Sequence, residues 1–195
     1  KLELVDSDFS LYPENIPQHE GCFNNYKTKS YNIALFREKT TNKLLIFSST
    51  HLWWKSDRVQ PGSTMARASQ LRLIMAEAEI IRAKFGNIPV FVVGDMNCEE
   101  NTVPLQQLIQ SGYAPCYKIA TEYGDDHNGH HICAPNDGYS KKSRRKGPDR
   151  ETGAIDHCLL LDTEGKTQVI VFDCIMEEYT VKLTDHYPLL VDFKL

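Results

Sequence analysis

The segment that most constrains the fold of this chain is IPVFVVGDMN, residues 88–97. Its first half is a run of β-branched and aromatic residues with apolar side chains on both faces, which predicts a buried central strand. Gly94 frees the backbone where the strand ends, and Asp95 and Asn97 follow with one residue between them. In an extended chain, that spacing places both polar side chains on one side of the strand. Such a pair can hold a water molecule or a hard cation, and the alternative is that it caps a following helix.

Length and composition indicate a single globular domain over residues 1–195. With 41% hydrophobic and 25% charged residues, the chain is long enough to fold without disulfides or a structural metal. A formal net charge of −4 excludes a uniformly basic surface, so a polyanionic partner would have to meet a local basic patch. The six cysteines show no C-x-x-C spacing, and we interpret them as unpaired thiols, which favours a cytoplasmic setting. No apolar run reaches the roughly 20 residues of a membrane-spanning helix, and we expect a monomer.

Periodicity around the central strand predicts a β-hairpin, a long helix and a strand-rich carboxyl-terminal third. Residues 1–30 read mainly as loop with one short strand. Apolar residues spaced three and four apart predict a helix from Ser63 to Phe85, and a shorter helix is predicted over residues 103–112. Residues 114–119 are expected to be a brief extended piece, and residues 121–153 are irregular. Strands are predicted over residues 31–38, 44–54, 154–162, 167–177 and 187–195.

Polar side chains follow or begin several of these predicted strands. If the strands lie side by side, their ends converge on one cleft, and the set has the chemistry that phosphodiester hydrolysis requires. Carboxylates hold a divalent metal, Asp or Asn orients the attacking water, and histidines neutralise charge that builds on phosphoryl oxygens. For His51 alone, the alternative is a histidine whose hydrogen bonds are satisfied in the core or at the surface. The residues are His51, Asp95, Asn97, Asp156, Asp185 and His186.

Four short motifs resemble, in order and spacing, the signature of the endonuclease/exonuclease/phosphatase superfamily. They are STHL at 49–52, GDMN at 94–97, AIDH at 154–157 and TDHYPL at 184–189. The resemblance covers residues 31–195 and implies a four-layer α/β/β/α sandwich of the DNase-like type, with two mainly antiparallel sheets packed face to face. It also implies a metal-dependent phosphoesterase that uses Mg²⁺ or Mn²⁺.

The resemblance further implies a role for each catalytic residue. Asp95 would orient and activate the nucleophilic water, with Asn97 holding water and phosphate beside it. Asp156 would polarise His186, which would act as general base or stabilise the transition state. His51 would contact the scissile phosphate.

Metal binding is where the sequence departs from the family pattern. The resemblance implies that Asp185 supports the metal, directly or through water. The metal-binding Glu that follows a Gln in the family is not recognisable here; Glu3 lies at a tolerable distance before the hairpin to replace it. We therefore expect the amino-terminal part of the domain to be missing. A rival interpretation is a catalytically silent binding module that keeps the fold and has lost its metal ligand.

Residues 121–153 and the start of the long helix supply candidates for substrate binding. Arg67 and the basic residues Lys142, Arg144 and Arg145 are predicted to contact phosphate, and the alternative for each is a solvated surface. The substrate would be nucleic acid, a phosphorylated small molecule or a lipid head group. Trp53 and Trp54 could stack a base, touch acyl chains or pack onto the helix. A zinc site is the other hypothesis for this loop, with the candidate ligands His127, His130, His131 and Cys133.

Overall fold

The computed structural model describes residues 1–16, 18–124, 154–175 and 186–195. Within these ranges the chain forms nine strands and three α-helices. The strands are β1 (Leu2–Leu11), β2 (Ser30–Glu38), β3 (Leu44–His51), β4 (Val90–Asp95), β5 (Ala114–Pro115), β6 (Glu122–Tyr123), β7 (Asp156–Leu161), β8 (Gln168–Cys174) and β9 (Leu189–Lys194). The helices are α1 (Ser63–Phe85), α2 (Val103–Gln110) and α3 (Cys116–Ile119).

The strands form two sheets. The first has six strands in the order β1-β2-β3-β4-β7-β5, and only the pairing of β3 with β4 is parallel. The second has three strands in the order β6-β8-β9, with β6 parallel to β8 and β9 antiparallel to it. Four of the five pairings in the first sheet and the longer of the two pairings in the second sheet are antiparallel, which agrees with the predicted fold class.

Hydrophobic clusters lie on both faces of the six-stranded sheet. On one face, Leu45, Phe91 and Leu160 pack against residues of the three-stranded sheet, including Phe193, whose ring centroid lies 4.5 Å from that of Phe91. On the other face, a cluster from the sheet is covered by α1 and α2. The result is a layered helix, sheet and sheet arrangement. Two sheets packed face to face, with helices on the outer side, are consistent with the predicted DNase-like sandwich.

Most local predictions match the structure, with four corrections. The segment predicted to be irregular from residue 121 begins with the short strand β6, which pairs with β8. Residues 1–30 contain a ten-residue strand, because β1 pairs antiparallel with β2 along its length although nine of its ten residues are exposed. Strand β3 ends at His51, so the two tryptophans that follow lie in a loop. Residues 116–119 form a helical turn instead of an extended piece. The hairpin of β2 and β3 and the long helix α1 lie where the sequence predicts them.

The structure also describes the state of the cysteines and the hydropathy of the helices. Four of the described cysteines, Cys22, Cys98, Cys116 and Cys158, are free thiols. The Sγ atoms of Cys116 and Cys158 lie 3.4 Å apart between β7 and the start of α3. Among the described helices, none combines the length and the apolar composition that crossing a membrane requires.

Candidate active site

Strand pairing brings three of the predicted polar residues side by side at one end of the six-stranded sheet. His51 of β3 is the partner of Asp95 in β4, and Asp95 is the partner of Asp156 in β7. Because side chains alternate along a strand, His51 lies on the same face as Phe47, and Asp95 on the same face as Phe91. All three side chains therefore point to the side of the sheet that faces the second sheet.

Hydrogen bonds and short distances connect this row to His186, which precedes β9. His186 Nδ1 donates a hydrogen bond of 2.6 Å to Asp156 Oδ2, which directs Nε2 toward Asp95. The Oδ2 atom of Asp95 lies 3.9 Å from His186 Nε2 and 3.3 Å from His51 Nε2. One carboxylate oxygen thus lies between two imidazole nitrogens. A water molecule or a phosphoryl oxygen next to these three atoms could form hydrogen bonds with them.

Burial and neighbouring charge shift the acid–base behaviour of the row. Burial raises the pKa of Asp95 above its ordinary value, and the charge of Asp156 raises it further, whereas the hydrogen bond from the Asn97 backbone opposes the shift. Burial lowers the pKa of His51, and the ammonium of Lys29 lowers it further. Asp95 is therefore a better base than an ordinary aspartate, and its proton affinity depends on Asp156.

Asn97 does not lie in the strand beside Asp95, although the spacing predicts both side chains on one side of an extended chain. The strand ends at Asp95, and Asn97 takes a left-handed conformation with φ of 50°. Its backbone N–H donates to Asp95 Oδ1 at 2.8 Å, and its Nδ2 donates to the carbonyl of Leu52 at 3.1 Å. Asn97 therefore fixes the Asp95 carboxylate and the loop after β3. Neither side chain caps a helix directly, because α2 begins only at Val103.

Gly94 is required for the close approach of β3 and β4 beside the site. It has a φ of 131°, and a Cβ built there would lie 1.9 Å from the carbonyl oxygen of Thr50. Because no L side chain fits that space, the residue before Asp95 has to be glycine for the strands to pair in this way.

The structure places Glu3 far from the row, so the predicted metal ligand at this position is wrong. Glu3 pairs with Arg37 at the end of β2, and Arg37 pairs with Leu44 at the start of β3. His51 lies at the other end of β3, seven residues from Leu44, a separation of roughly 23 Å at the rise of an extended strand. The antiparallel hairpin, which sequence distance alone does not reveal, puts Glu3 at the opposite end of the sheet.

Arg67 also lies in a position that does not fit the predicted contact with substrate, nor the alternative of a solvated helix face. Only 6% of Arg67 is exposed. Its guanidinium donates hydrogen bonds to the carbonyls of Trp53 and Lys55 at 3.1 and 2.8 Å. It holds the loop that follows His51, with help from Gln70, which accepts the Trp53 N–H at 3.0 Å.

The two tryptophans of that loop separate into a buried and an exposed residue. Trp53 is buried, and its Nε1 donates to Ser63 Oγ at 3.2 Å, which agrees with the packing alternative. Trp54 is 59% exposed, three residues after His51, and Lys55 Nζ lies 5.5 Å from the centre of its ring. Trp54 therefore offers an aromatic surface near the row of strand ends.

Other candidates lie outside the described residues. Among them are the predicted metal ligand Asp185 and the basic residues Lys142, Arg144 and Arg145, together with the proposed zinc ligands His127, His130, His131 and Cys133. His157 is buried, and its Nε2 lies 2.9 Å from the carbonyl oxygen of Cys98.

Two features of the site have no signal in the sequence. Lys29, one residue before β2, is 6% exposed and acts electrostatically on His51. A cavity of about 470 Å³ between the sheets opens beside Asp156 and His186, and its apolar lining includes Phe47, Phe91 and Phe193. Nothing in the sequence around Lys29 distinguishes it from a surface lysine, and the three phenylalanines lie on three separate strands. Only the pairing and packing of the strands bring these residues to the site.

The donor set of the row fits a divalent metal. One atom each from Asp95, Asp156 and His186 lies within 4.8 Å of the other two. Two carboxylates suit Mg²⁺ and Mn²⁺, and an imidazole nitrogen is the better ligand for Mn²⁺ of the two ions.

Comparison with known proteins finds similar solved structures. A conserved protein of unknown function from Enterococcus faecalis has a TM-score of 0.71 at 20% identity, covering 100% of this chain and 67% of that one. An endonuclease/exonuclease/phosphatase from Bacteroides vulgatus has a TM-score of 0.69 at 20% identity, with coverage of 100% and 67%. A mannosyl-6-phosphatase from Bacteroides thetaiotaomicron has a TM-score of 0.68 at 15% identity, with coverage of 100% and 68%.

The sequence itself matches no protein-family model and no curated protein. This chain spans about two thirds of the length of the similar structures. At the level of the fold, these neighbours confirm the resemblance that the four motifs predict.

Proposed function

We propose that this chain, whose fold is that of the endonuclease/exonuclease/phosphatase proteins, hydrolyses a phosphoester bond with the help of a divalent metal. The observation that carries the proposal is the position of Asp95 Oδ2 between His51 Nε2 and His186 Nε2, at 3.3 and 3.9 Å. A partly buried carboxylate with a raised pKa can accept a proton from water, and the N–H groups of the two imidazoles beside it can donate hydrogen bonds to the phosphoryl oxygens.

In this mechanism Asp95 holds the attacking water and takes up its proton through Oδ2. The Asn97 backbone N–H keeps the other oxygen, Oδ1, in place. Asp156 fixes the imidazole of His186 through the 2.6 Å hydrogen bond and favours its protonated form. Protonated His186, together with His51, then stabilises the charge that develops on the phosphoryl oxygens as water attacks phosphorus.

The carboxylates that would hold the metal are those of Asp95 and Asp156, because a protonated His186 has no lone pair left for an ion, and Asp185 remains a proposed ligand from the sequence. When bound, Mg²⁺ or Mn²⁺ supplies Lewis-acid stabilisation of the phosphoryl group.

The substrate belongs to one of two chemical classes. The first is nucleic acid, and the second is a small phosphorylated group, either a free molecule or a lipid head group. Similarity of fold to a mannosyl-6-phosphatase supports a phosphorylated small molecule. The exposed ring of Trp54 supports a substrate with a ring to stack, whether a base or a sugar.

A catalytically silent binding module is the second candidate. The position of Glu3 at the far end of the sheet favours it, because that position removes one predicted metal ligand from the site.

Hydrolysis of a bis-nitrophenyl phosphodiester and of nitrophenyl phosphate, each with Mg²⁺, Mn²⁺ or EDTA, distinguishes the two candidates. We expect turnover that EDTA abolishes, and a loss of at least about a hundredfold in Asp95→Ala and in His186→Ala. Asp192→Ala, an exposed aspartate of β9, is the matched control and should retain full activity. Metal-dependent turnover that survives Asp95→Ala would refute the site, and absence of turnover with both esters would favour the binding module.

A further inference from the structure

Cys116 and Cys158 are two buried thiols in contact with each other, and the proposed mechanism uses neither of them. We propose that they form a redox site, at which a peroxide oxidises the two thiols to an intramolecular disulfide. The disulfide joins strand β7 to the first residue of α3. This inference rests on the fold and not on the proposed function, so either can fail while the other stands.

The pairing of β5 with β7 places the two cysteines opposite each other. Pro115, the last residue of β5, is the antiparallel partner of Leu159 in β7. The next position in the same register brings Cys116 opposite Cys158. Directly opposite Cα atoms of antiparallel strands are about 4.5–5.5 Å apart, which lies inside the range of about 4.4–6.8 Å that a disulfide spans.

The side chains of the pair point toward each other. Their Sγ atoms are 3.4 Å apart, and both residues belong to the hydrophobic cluster between the two sheets. Since the backbone separation already suits a disulfide, rotation of the side chains about their Cα–Cβ bonds is enough to bring the sulfurs to bonding distance. The fold therefore does not have to change for the bond to form.

Access to an oxidant differs between the two thiols. Cys116 is fully buried, whereas Cys158 lines the cavity of about 470 Å³ that opens beside Asp156. Because side chains alternate along β7, Cys158 lies on the same face of the sheet as Asp156. Hydrogen peroxide is small enough to enter a cavity of this size. Cys158 is thus the thiol that meets the oxidant, and Cys116 is the partner that reacts with the product.

The reaction consumes one peroxide and releases two water molecules. The sulfur of Cys158 attacks one peroxide oxygen, so that an S–O bond forms, the O–O bond breaks and the leaving hydroxide takes the Cys158 proton to become water. The sulfur of Cys116 then attacks the sulfenic acid; the S–S bond forms, the S–O bond breaks, and the hydroxide that leaves takes the Cys116 proton. The two sulfurs together lose two electrons, which reduce the peroxide.

The surroundings of the pair make this oxidation slow. The contact with Cys116 raises the pKa of Cys158 well above its ordinary value, and burial raises it further. Because the thiolate is the reactive form of cysteine, Cys158 should react more slowly than the exposed thiol of Cys22. We therefore expect the disulfide to form during prolonged exposure to an excess of peroxide.

Peptide mapping by mass spectrometry identifies the bond directly. The folded wild-type protein would be incubated with excess hydrogen peroxide, its remaining thiols would be alkylated, and the protein would then be digested. We expect a cross-linked peptide that joins Cys116 to Cys158, lacks two hydrogens and disappears after treatment with dithiothreitol. Cys22→Ser is the matched control, because it removes an exposed cysteine and should leave this cross-link unchanged.

Single substitutions of the pair test which thiol meets the peroxide. In Cys116→Ser, oxidation of Cys158 should stop at the sulfenic acid, which dimedone traps as a stable adduct. In Cys158→Ser, Cys116 does not line the cavity and should stay unmodified under the same conditions. A dimedone adduct on Cys116 in Cys158→Ser, at the yield found on Cys158 in Cys116→Ser, would contradict the assignment of the two roles.

Thermal melting tests whether the bond forms without distortion of the fold. The two cysteines are separated by 42 positions in the sequence, and closing a loop of this length should raise the melting temperature of the oxidised wild type by about 5 °C or more. Peroxide should give no such rise in Cys116→Ser. The inference is overturned if Cys158 stays reduced after prolonged exposure, if either cysteine is linked to a different one, or if the disulfide lowers the melting temperature.

Discussion

Replacing Asp156 with Asn tests the coupling between the three charged groups of the site. The substitution keeps an oxygen that can accept the hydrogen bond from His186 Nδ1, now 2.6 Å long, and removes only the charge. Both side chains are largely buried, with exposures of 15% and 27%. A charge-assisted hydrogen bond in such a setting contributes about 1.5–3 kcal/mol, of which a neutral acceptor retains a part.

The rate consequence follows from that free energy. A loss of about 1.4–2.8 kcal/mol in the transition state corresponds to a fall of about 10- to 100-fold in kcat/KM. The assay is hydrolysis of the bis-nitrophenyl phosphodiester with Mn²⁺, with Asp192→Asn on β9 as the control for a neutralised exposed aspartate.

The same variant should change the pH profile. Because the charge of Asp156 raises the pKa of Asp95, removing it lowers that pKa. Activity that requires ionised Asp95 then persists to lower pH, so the acid limb of kcat/KM moves to lower pH in Asp156→Asn. A loss below about threefold together with an unmoved acid limb would refute the coupling between Asp156, His186 and Asp95.

Three further substitutions test individual assignments. Asp95→Asn should be inactive with Mn²⁺ and, in metal-free buffer, at least as stable at pH 7 as the wild type, because the raised pKa of Asp95 makes its ionised form costly in the folded state. This difference should vanish below the ordinary aspartate pKa, where both side chains are neutral; a less stable variant at pH 7 in urea titration would contradict it. Arg67→Met should lower the free energy of unfolding by about 2–4 kcal/mol, since it leaves two buried carbonyls unpaired, while Arg72→Met on the exposed face of α1 should have little effect. Equal melting temperatures for the two arginine variants would contradict this structural role and would favour the predicted contact of Arg67 with substrate. Trp54→Ala should raise KM for substrates that carry a ring and leave the melting temperature unchanged, and an unchanged KM for nucleotide and sugar phosphates alike would argue against stacking.

The sequence predicts the strand ends of this site well, because local patterns determine where strands stop. A buried apolar run followed by Gly94 and Asp95 predicts both the central strand and the polar group at its end. His51 and Asp156 then become neighbours through strand pairing, which the order of the motifs predicts only through the family resemblance.

The failures arise where position depends on long-range pairing. Glu3 has a suitable spacing in sequence, yet the antiparallel ladder with β2 carries it to the wrong end of the sheet. Arg67 has the charge of a phosphate ligand, but the carbonyls of the loop after His51 lie within its reach and take its donors. Lys29 has no sequence signal, since its burial depends on Asn24 and on the end of β3.

The most direct test of the central claim is hydrolysis in ¹⁸O-labelled water with Mn²⁺, followed by mass spectrometry of both products. The account predicts that one ¹⁸O atom enters the phosphoryl product and none enters the alcohol, and that Asp95→Asn or EDTA prevents this labelling. Label in the alcohol, or labelling of phosphate at the wild-type rate by Asp95→Asn, would contradict attack on phosphorus by a water molecule that Asp95 activates.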